Sequence, residues 1–204
     1  MYMTSHRAVR GFTLIEILVS VALFSIVMVM ALGSLLSMSV AIRKAEGINA
    51  AVNNLGAAID SVSRALRTGT RYHCGQTGTL TNPQDCMASP QSYLTFKAFG
   101  GTQVTYCLSG QGSNVCNVNS SVLTCTGGSG TCQVLRQIGA GAFTPMTSPE
   151  VNITYLAFYV EGSPLNDNLQ PKVTTVVAGS VQVTASQSSN FNIQTAVTQR
   201  MFDE

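Results

Sequence analysis

One stretch of the sequence constrains the fold more than any other. Residues 17–42 form a run of 26 residues without a charged side chain. About 20 apolar residues in a helix suffice to cross the hydrocarbon core of a bilayer, so the run predicts a membrane-spanning helix. A carboxylate in such surroundings is costly, yet Glu16 directly precedes the run. The basic residues His6, Arg7 and Arg10 favour a cytoplasmic N-terminus, with the rest of the chain outside the cytoplasm.

Two ordinary interpretations of this N-terminus explain it incompletely. A cleaved secretory signal has an apolar region of about 7–15 residues, and the run here is longer. A plain membrane anchor fits the length of the run. It requires neither the carboxylate of Glu16 nor a glycine at position 11.

The residues from Gly11 to Glu16 read Gly-Phe-Thr-Leu-Ile-Glu, behind a short basic leader and before the apolar run. This arrangement resembles the processing site of type IV prepilins and type II secretion pseudopilins. The resemblance implies that prepilin peptidase cuts between Gly11 and Phe12 and then methylates the new amine of Phe12. A glycine leaves the scissile bond unobstructed. The resemblance is strong over about residues 7–45 and weaker thereafter.

Glu16 receives a specific role from the same resemblance. Cleavage creates a positive amine on Phe12, four residues and one helical turn from Glu16. In a filament, the resemblance implies that Glu16 meets the Phe12 amine of a neighbouring subunit. Because an unpaired charge in lipid costs about 2.5–3.5 kcal/mol on insertion scales, pairing it favours assembly.

The chain is predicted to have four segments. Residues 1–11 form the leader, 12–42 the membrane-spanning half of a long helix, 43–70 its amphipathic outer half, and 71–204 a disulfide-rich β region. Thr68-Gly69 is a suitable helix end. In the outer half, apolar residues recur at steps of three and four and predict one buried stripe, formed by Ala45, Ile48, Val52, Leu55, Ile59, Val62 and Leu66.

The region after the helix is rich in short β-branched and aromatic runs separated by turn residues. We predict a hairpin from residues 93–97 and 103–107, a central strand at 151–160, and strands at 172–177 and 191–197, the last half-buried. The fold class is α+β, and the resemblance implies a pilin-like fold in which the outer half of one long helix packs on an antiparallel sheet.

Six cysteines follow the helix, at Cys74, Cys86, Cys107, Cys116, Cys125 and Cys132. Their even number and exported location predict disulfides. Proximity favours Cys74–Cys86. The other four can pair as neighbours, Cys107–Cys116 with Cys125–Cys132, or nested, Cys107–Cys132 with Cys116–Cys125. We favour the nested form, because residues 106–108 and 132–134 look like two strands of one hairpin. No Cys-x-x-Cys pair occurs, so no metal site is predicted.

The sequence contains few side chains that could serve as catalytic groups. After cleavage His73 would be the only histidine in the chain. No Walker, GxGxxG or GxSxG pattern is present. We therefore predict no catalytic residue and no cofactor. A formal net charge of +2 gives no indication of a nucleic-acid partner.

The sequence predicts a structural subunit, specifically a minor pilin or minor pseudopilin of a type IV pilus or type II secretion-like filament. Many major pilins have a proline where this chain has Gly33, which favours a minor subunit. Predicted partners are prepilin peptidase, other pilin or pseudopilin subunits, the membrane assembly platform and the bilayer. The subunit would span the cytoplasmic membrane once and then join a cell-surface filament. The alternative is an anchored extracytoplasmic binding or adhesin domain that never assembles. The Gly- and Ser-rich residues 109–131 are predicted to form a surface loop.

Overall fold

The structure is a computed structural model that describes residues 11–76, 79–113, 115–116, 121–126, 129–165, 167–184 and 187–200. The predicted leader residues His6, Arg7 and Arg10 lie outside the described ranges. Within these ranges there is one long helix, α1, followed by strands β1 to β8. Their bounds are α1 Leu14–Thr68, β1 Thr70–Cys74, β2 Tyr93–Lys97, β3 Gln103–Leu108, β4 Val134–Ile138, β5 Thr144–Pro145, β6 Val151–Glu161, β7 Lys172–Thr184 and β8 Gln187–Thr198.

The chain divides into two units, Met1–Ala45 and Glu46–Glu204. The described part of the first unit consists of residues 11–13 and the inner half of α1, and this helix is long and apolar enough to cross a membrane. An 18-residue window of the helix reaches a mean hydropathy of 2.6, and none of that window is buried. Two serines in the apolar run bond back to the helix: Ser20 Oγ donates to Glu16 O at 2.7 Å and Ser25 Oγ to Val21 O at 2.8 Å. Their hydroxyl hydrogens therefore have partners inside the helix.

The second unit includes the outer half of α1, which has one buried stripe. Its buried residues are Ala51, Leu55, Ala58, Val62 and Leu66. The prediction of a single stripe is confirmed, but two of its predicted members are wrong. Ala45 is exposed, and Val52 is 56% exposed while Ala51 is buried. One residue corresponds to about 100° around a helix, so a stripe that includes Ala51 turns Val52 away from the core.

The helix ends at Thr68, as predicted, and its last carbonyl groups have partners. The Tyr72 hydroxyl lies within hydrogen-bonding distance of the carbonyl oxygens of Leu66 and Gly69. The backbone N–H of Arg200 donates to Arg67 O at 2.9 Å. Carbonyls at a helix end lack intrahelical partners, so these bonds close the helix against the sheet.

Strands β1 to β5 form one antiparallel sheet in that order, called sheet A here. The predicted hairpin is confirmed: β2 pairs with β3, and the turn contains Gly100 and Gly101 at φ of 91° and 84°. Only a residue without a side chain adopts such angles at no steric cost. The sequence did not predict β1 or β5 and placed β4 about two residues too early.

Strands β6 to β8 form a second antiparallel sheet, called sheet B, in the order β6-β7-β8. The prediction that residues 151–160 form a central strand is wrong, since β7 is central and β6 lies at one end. Apolar residues of β6 nevertheless lie in the main core, and a loop pairs with its outer edge where Gln91 bridges Phe158. The alternation predicted for β8 is confirmed: Phe191 and Ile193 are half-buried and Val197 is buried.

One core joins the helix stripe to both sheets. It includes Leu55 and Leu66 of α1, Phe96 of sheet A, and Ile153 and Phe158 of sheet B. The fold is α+β, with a single helix whose outer half packs on antiparallel sheets. That confirms the predicted fold class and agrees with a pilin-like fold.

Three disulfides link Cys74 to Cys86, Cys107 to Cys116 and Cys125 to Cys132. The first is the pairing predicted from proximity, but the nested prediction for the other four cysteines is wrong. Strands β3 and β4 do pair, yet Leu135, not Cys132, lies opposite Cys107. Cys107 also packs in a small cluster with Leu135, whereas Cys132 belongs to the main core. Cys107 and Cys132 therefore lie in different clusters and are not opposite each other in the β3–β4 pairing, so their sulfurs are not placed to bond.

Candidate processing site at the start of the helix

The Gly11–Phe12 bond lies immediately before α1, outside regular secondary structure. Gly11 is exposed, and a β-carbon built on it would meet no atom within 4 Å. The side chain of Phe12 is 79% exposed. Within the described residues nothing packs against this bond, so it is accessible to an enzyme.

Thr13 starts the helix. Its Oγ1 accepts the backbone N–H of Glu16 at 3.4 Å, and its carbonyl oxygen accepts the N–H of Ile17 at 3.3 Å. Helices begin with unpaired N–H groups, and a threonine at this position satisfies one of them. Thr13 therefore holds Glu16 in the first turn, which follows the Gly11–Phe12 bond by only a few residues.

Thr13 and Glu16 also match the Thr-x-x-Glu sequence of a capping box, in which the glutamate at the third helical position supports the helix start. The positive end of the helix dipole favours a carboxylate there as well. Sequence reasoning assigned Glu16 to assembly alone and gave Thr13 no role. The Thr-x-x-Glu spacing before an apolar run was the signal that could have found this contribution.

The carboxylate of Glu16 stands among exposed apolar side chains. Leu14 is 77% exposed, Ile15 67% and Ile17 55%, and Glu16 itself is exposed. The arrangement thus presents one negative charge on an apolar helix surface, one turn after Phe12. A positive group from another molecule could reach that charge without displacing any described part of this unit.

The remaining candidate residues lie in the second unit. His73 is 4% exposed, and its Nδ1 lies 3.0 Å from the carbonyl oxygen of Asn82. The six cysteines are all in disulfides. Across the part of the chain that the structure describes, no three His, Cys, Asp or Glu side chains converge as metal ligands.

Comparison with protein families decides what the helix start is. Residues 6–32 match the family model described as the prokaryotic N-terminal methylation motif. The chain is type IV prepilin-like. The comparison with curated proteins found no match, and neither did the comparison with solved structures.

The matched residues in this prepilin-like chain contain Gly11, Phe12, Thr13, Glu16 and the first half of the apolar run. The motif implies processing by prepilin peptidase and assembly with pilin subunits. It belongs to structural proteins rather than to enzymes. Together with the apolar helix, it indicates that the N-terminus anchors the chain in a membrane.

Proposed function

We propose that this chain is a minor pilin or minor pseudopilin, a structural subunit of a type IV pilus or of a type II secretion-like filament. The observation that carries the proposal is the methylation motif at residues 6–32, which coincides with an accessible Gly11–Phe12 bond at a capped helix start. Prepilin peptidase cuts this bond and methylates the amine of Phe12. The subunit then enters the filament through its N-terminal helix.

Glu16 drives the assembly step in this proposal. Its carboxylate is exposed on an apolar helix surface, where an unpaired charge is unfavourable in lipid. The Phe12 amine of a neighbouring subunit supplies the opposite charge. Pairing the two removes the cost of leaving the carboxylate alone, and the cost remains when the neighbour is absent.

Before assembly the chain spans the cytoplasmic membrane once, through residues 12–42. From residue 43 the helix continues outside the bilayer to Thr68, and residues 71–204 form the extracytoplasmic disulfide-rich domain. The three disulfides support this location, since such bonds persist in oxidising compartments. The glycine at position 33 and the disulfide-bonded loops support a minor rather than a major subunit.

The test separates the charge of Glu16 from its contribution to the helix start. Glu16→Gln removes the charge but keeps a side chain that can serve in a capping box. Thr13→Ala removes the cap but keeps the charge. We expect all three chains, wild type included, to be cut after Gly11, while only Glu16→Gln fails to appear in sheared filaments.

Intact and N-terminal peptide mass spectrometry measures the processing, and fractionation of sheared filaments measures assembly. A mature wild-type chain should begin at Phe12 with one added methyl group. A wild-type chain still beginning at Met1 in cells with active peptidase would leave a plain membrane anchor. Normal assembly of Glu16→Gln would show that the carboxylate acts at the helix start alone.

A further inference from the structure

The outer edges of sheet A are closed to further strand pairing. At the outer edge of β1, Gln84 forms two backbone bonds, one before and one after His73: Gln84 N–H donates to Tyr72 O at 3.1 Å, and Cys74 N–H donates to Gln84 O at 3.3 Å. At the other edge, β5 has two residues, one of which is Pro145. Proline has no N–H to donate, so β5 offers little to a neighbouring strand.

The outer edge of β6 in sheet B is also covered. Gln91 and Phe158 exchange backbone hydrogen bonds at 3.2 and 2.8 Å, and Cys86 N–H donates to Val160 O at 3.0 Å. Farther along, Cys125 N–H donates to Thr154 O at 3.0 Å. Two of the three disulfides, Cys74–Cys86 and Cys125–Cys132, hold these covering segments in place.

Strand β8 is different. Its 12 residues lie at the end of sheet B, and among the described residues no backbone group bonds to its outer edge. Natural sheets blunt such edges with charged residues, proline or bulges. The sequence of β8, QSSNFNIQTAVT, contains neither a charge nor a proline, and the irregularity in its pairing with β7 lies at the hairpin end, between Gln182 and Thr184. An edge about 40 Å long is therefore open to a further strand.

An apolar groove runs beside this edge. Ile48, Val52 and Leu55 of α1 line one side, and Val181, Phe191 and Ile193 of sheet B line the other. The groove holds about 220 Å³, several times the share of one water in the liquid. It contains Val52, the residue predicted to be buried and found 56% exposed. A strand added to β8 would direct alternate side chains toward α1, and these would fill the groove and cover Val52.

A second copy of this chain does not fit the edge. β8 runs along the outer half of α1 in the same direction, since Phe191 lies beside Val52 and Arg200 N–H bonds to Arg67 O. Copies anchored in one membrane would thus present their β8 strands parallel. Two copies could pair symmetrically about a two-fold axis that runs parallel to their β8 strands. That rotation turns one sheet over, so the side chains of equivalent residues point to opposite faces and the backbone hydrogen-bonding groups of the two strands do not match. A copy related by translation would meet the covered edge of β6.

We propose that the outer edge of β8 binds one extended strand of a different pilin-like subunit, whose inward side chains are apolar at alternate positions and fill the groove at Val52. This inference rests on the proposed function, because the filament is what holds another subunit beside β8. The lining residues of the groove are uncharged, so an inward charge on the partner strand would be left unpaired. Backbone hydrogen bonds would supply the affinity and the groove the selectivity.

The test places a photocrosslinking amino acid, p-benzoylphenylalanine, at Gln194 of the full chain in its native cells. Gln194 is exposed on β8. The same amino acid at Phe99, which is 84% exposed on the β2–β3 turn, controls for non-specific capture. We expect position 194 to crosslink to an extended segment of another protein that carries a methylated N-terminus, identified by peptide mass spectrometry.

Two charge variants sharpen the test. Val52→Glu places a carboxylate in the groove, and Asn53→Glu places the same charge on the neighbouring exposed position of the same helix. Because an unpaired charge against an apolar side chain costs more than a factor of ten in affinity, Val52→Glu should reduce the crosslink about tenfold or more. Asn53→Glu should leave it within about twofold of wild type.

The N-terminal mass of each sample separates this inference from the proposed function. A chain that begins at methylated Phe12 but gives no crosslink from position 194, gives one only to itself, or responds equally to both glutamates would overturn the strand-addition inference alone. A chain that remains unprocessed would overturn the proposed function. If the unprocessed chain still gave a crosslink from position 194 and Val52→Glu removed it, strand addition would be supported, but a pilin-like subunit would be ruled out as the donor of the strand.

Discussion

The inner and outer halves of α1 share one secondary structure and differ in everything that surrounds it. From Leu14 to Ile42 the side chains are exposed and mostly apolar, with no charge after Glu16. From Ala51 to Leu66 every third or fourth residue is buried in the core of the second unit, and the exposed residues of this segment include polar side chains as well as Val52. Asp60 and Arg64 form an exposed ion pair there. The comparison shows that the outer half depends on contacts within the chain, and the inner half on its environment.

The largest expected difference between the two halves is in how a leucine-to-alanine substitution changes the free energy of unfolding. Leu66 is 1% exposed and Leu32 is 58% exposed. Leu66→Ala leaves a cavity in the core and should lower the free energy of unfolding of the sheet region by about 2–5 kcal/mol. Leu32→Ala removes no contact of that core and should change it by less than about 0.5 kcal/mol.

Denaturant titration of the chain in detergent, followed by tyrosine fluorescence, measures both leucine variants. Tyr2 is the one tyrosine in the sequence of the first unit, so the titration uses chains that begin at Phe12, in which every tyrosine lies in the second unit. Equal destabilisation by the two variants would mean that the inner half supports the core after all.

A second prediction uses pH to separate the halves. Burial raises the pKa of Tyr106 to about 12, while the Arg136 guanidinium opposes the shift. The folded pKa exceeds the unfolded value of 10, so this group's contribution is complete below pH 10 and is lost as the pH rises toward 12. The difference between a pKa of 10 and one of about 12 corresponds to roughly 3 kcal/mol in the free energy of unfolding.

Alkaline titration with circular dichroism and tyrosinate absorbance tests this expectation. The sheet region should lose stability between about pH 10 and 12, whereas the inner helix, which has no titrating group at residues 17–42, should stay helical. Tyr106→Phe should flatten that part of the stability profile. An unchanged profile in Tyr106→Phe would assign the alkaline loss to another group.

The smallest expected effect compares two glycines of the helix region. A β-carbon on Gly69 would clash with the ring of Phe96, whereas one on Gly33 would meet nothing within 4 Å. Gly69→Ala must displace the Phe96 ring and should destabilise the second unit by about 1–3 kcal/mol. Gly33→Ala should raise helix stability by up to about 1 kcal/mol.

Thermal unfolding monitored by circular dichroism compares the glycine variants with wild type. The sign of the two changes is the decisive result. If Gly69→Ala were as stable as wild type, the contact between the helix end and Phe96 would be looser than the structure shows.

Sequence patterns were most informative where one residue's position depends mainly on its neighbours in the chain. The apolar run, the Gly11–Glu16 motif, the helix end at Thr68 and the β2–β3 hairpin all depend on local periodicity or turn chemistry. The structure and the family comparison agree with each of them. The capping role of Thr13 was equally local, and its Thr-x-x-Glu spacing could have been used.

Predictions failed where the outcome depended on contacts between distant segments. The nested disulfides required the register of β3 against β4, and a small shift in that register exchanges Cys132 for Leu135 opposite Cys107. Whether β6 is a central strand depends on which strands pair with it, and the sequence pattern of β6 does not contain that information. Its apolar composition was a correct sign of burial, but loop segments rather than a strand cover its outer edge.

Composition and spacing were enough to predict a charge-free helix able to cross a membrane, a prepilin-like start and an α+β chain with cysteines confined to the β region. These features follow from composition and short-range spacing, which any stretch of chain carries with it. The pairing of the cysteines, the buried side of α1 and the open sheet edge became known from the folded chain alone. Those outcomes depend on strand register and on the packing of residues far apart in sequence, where a displacement of one residue changes every contact.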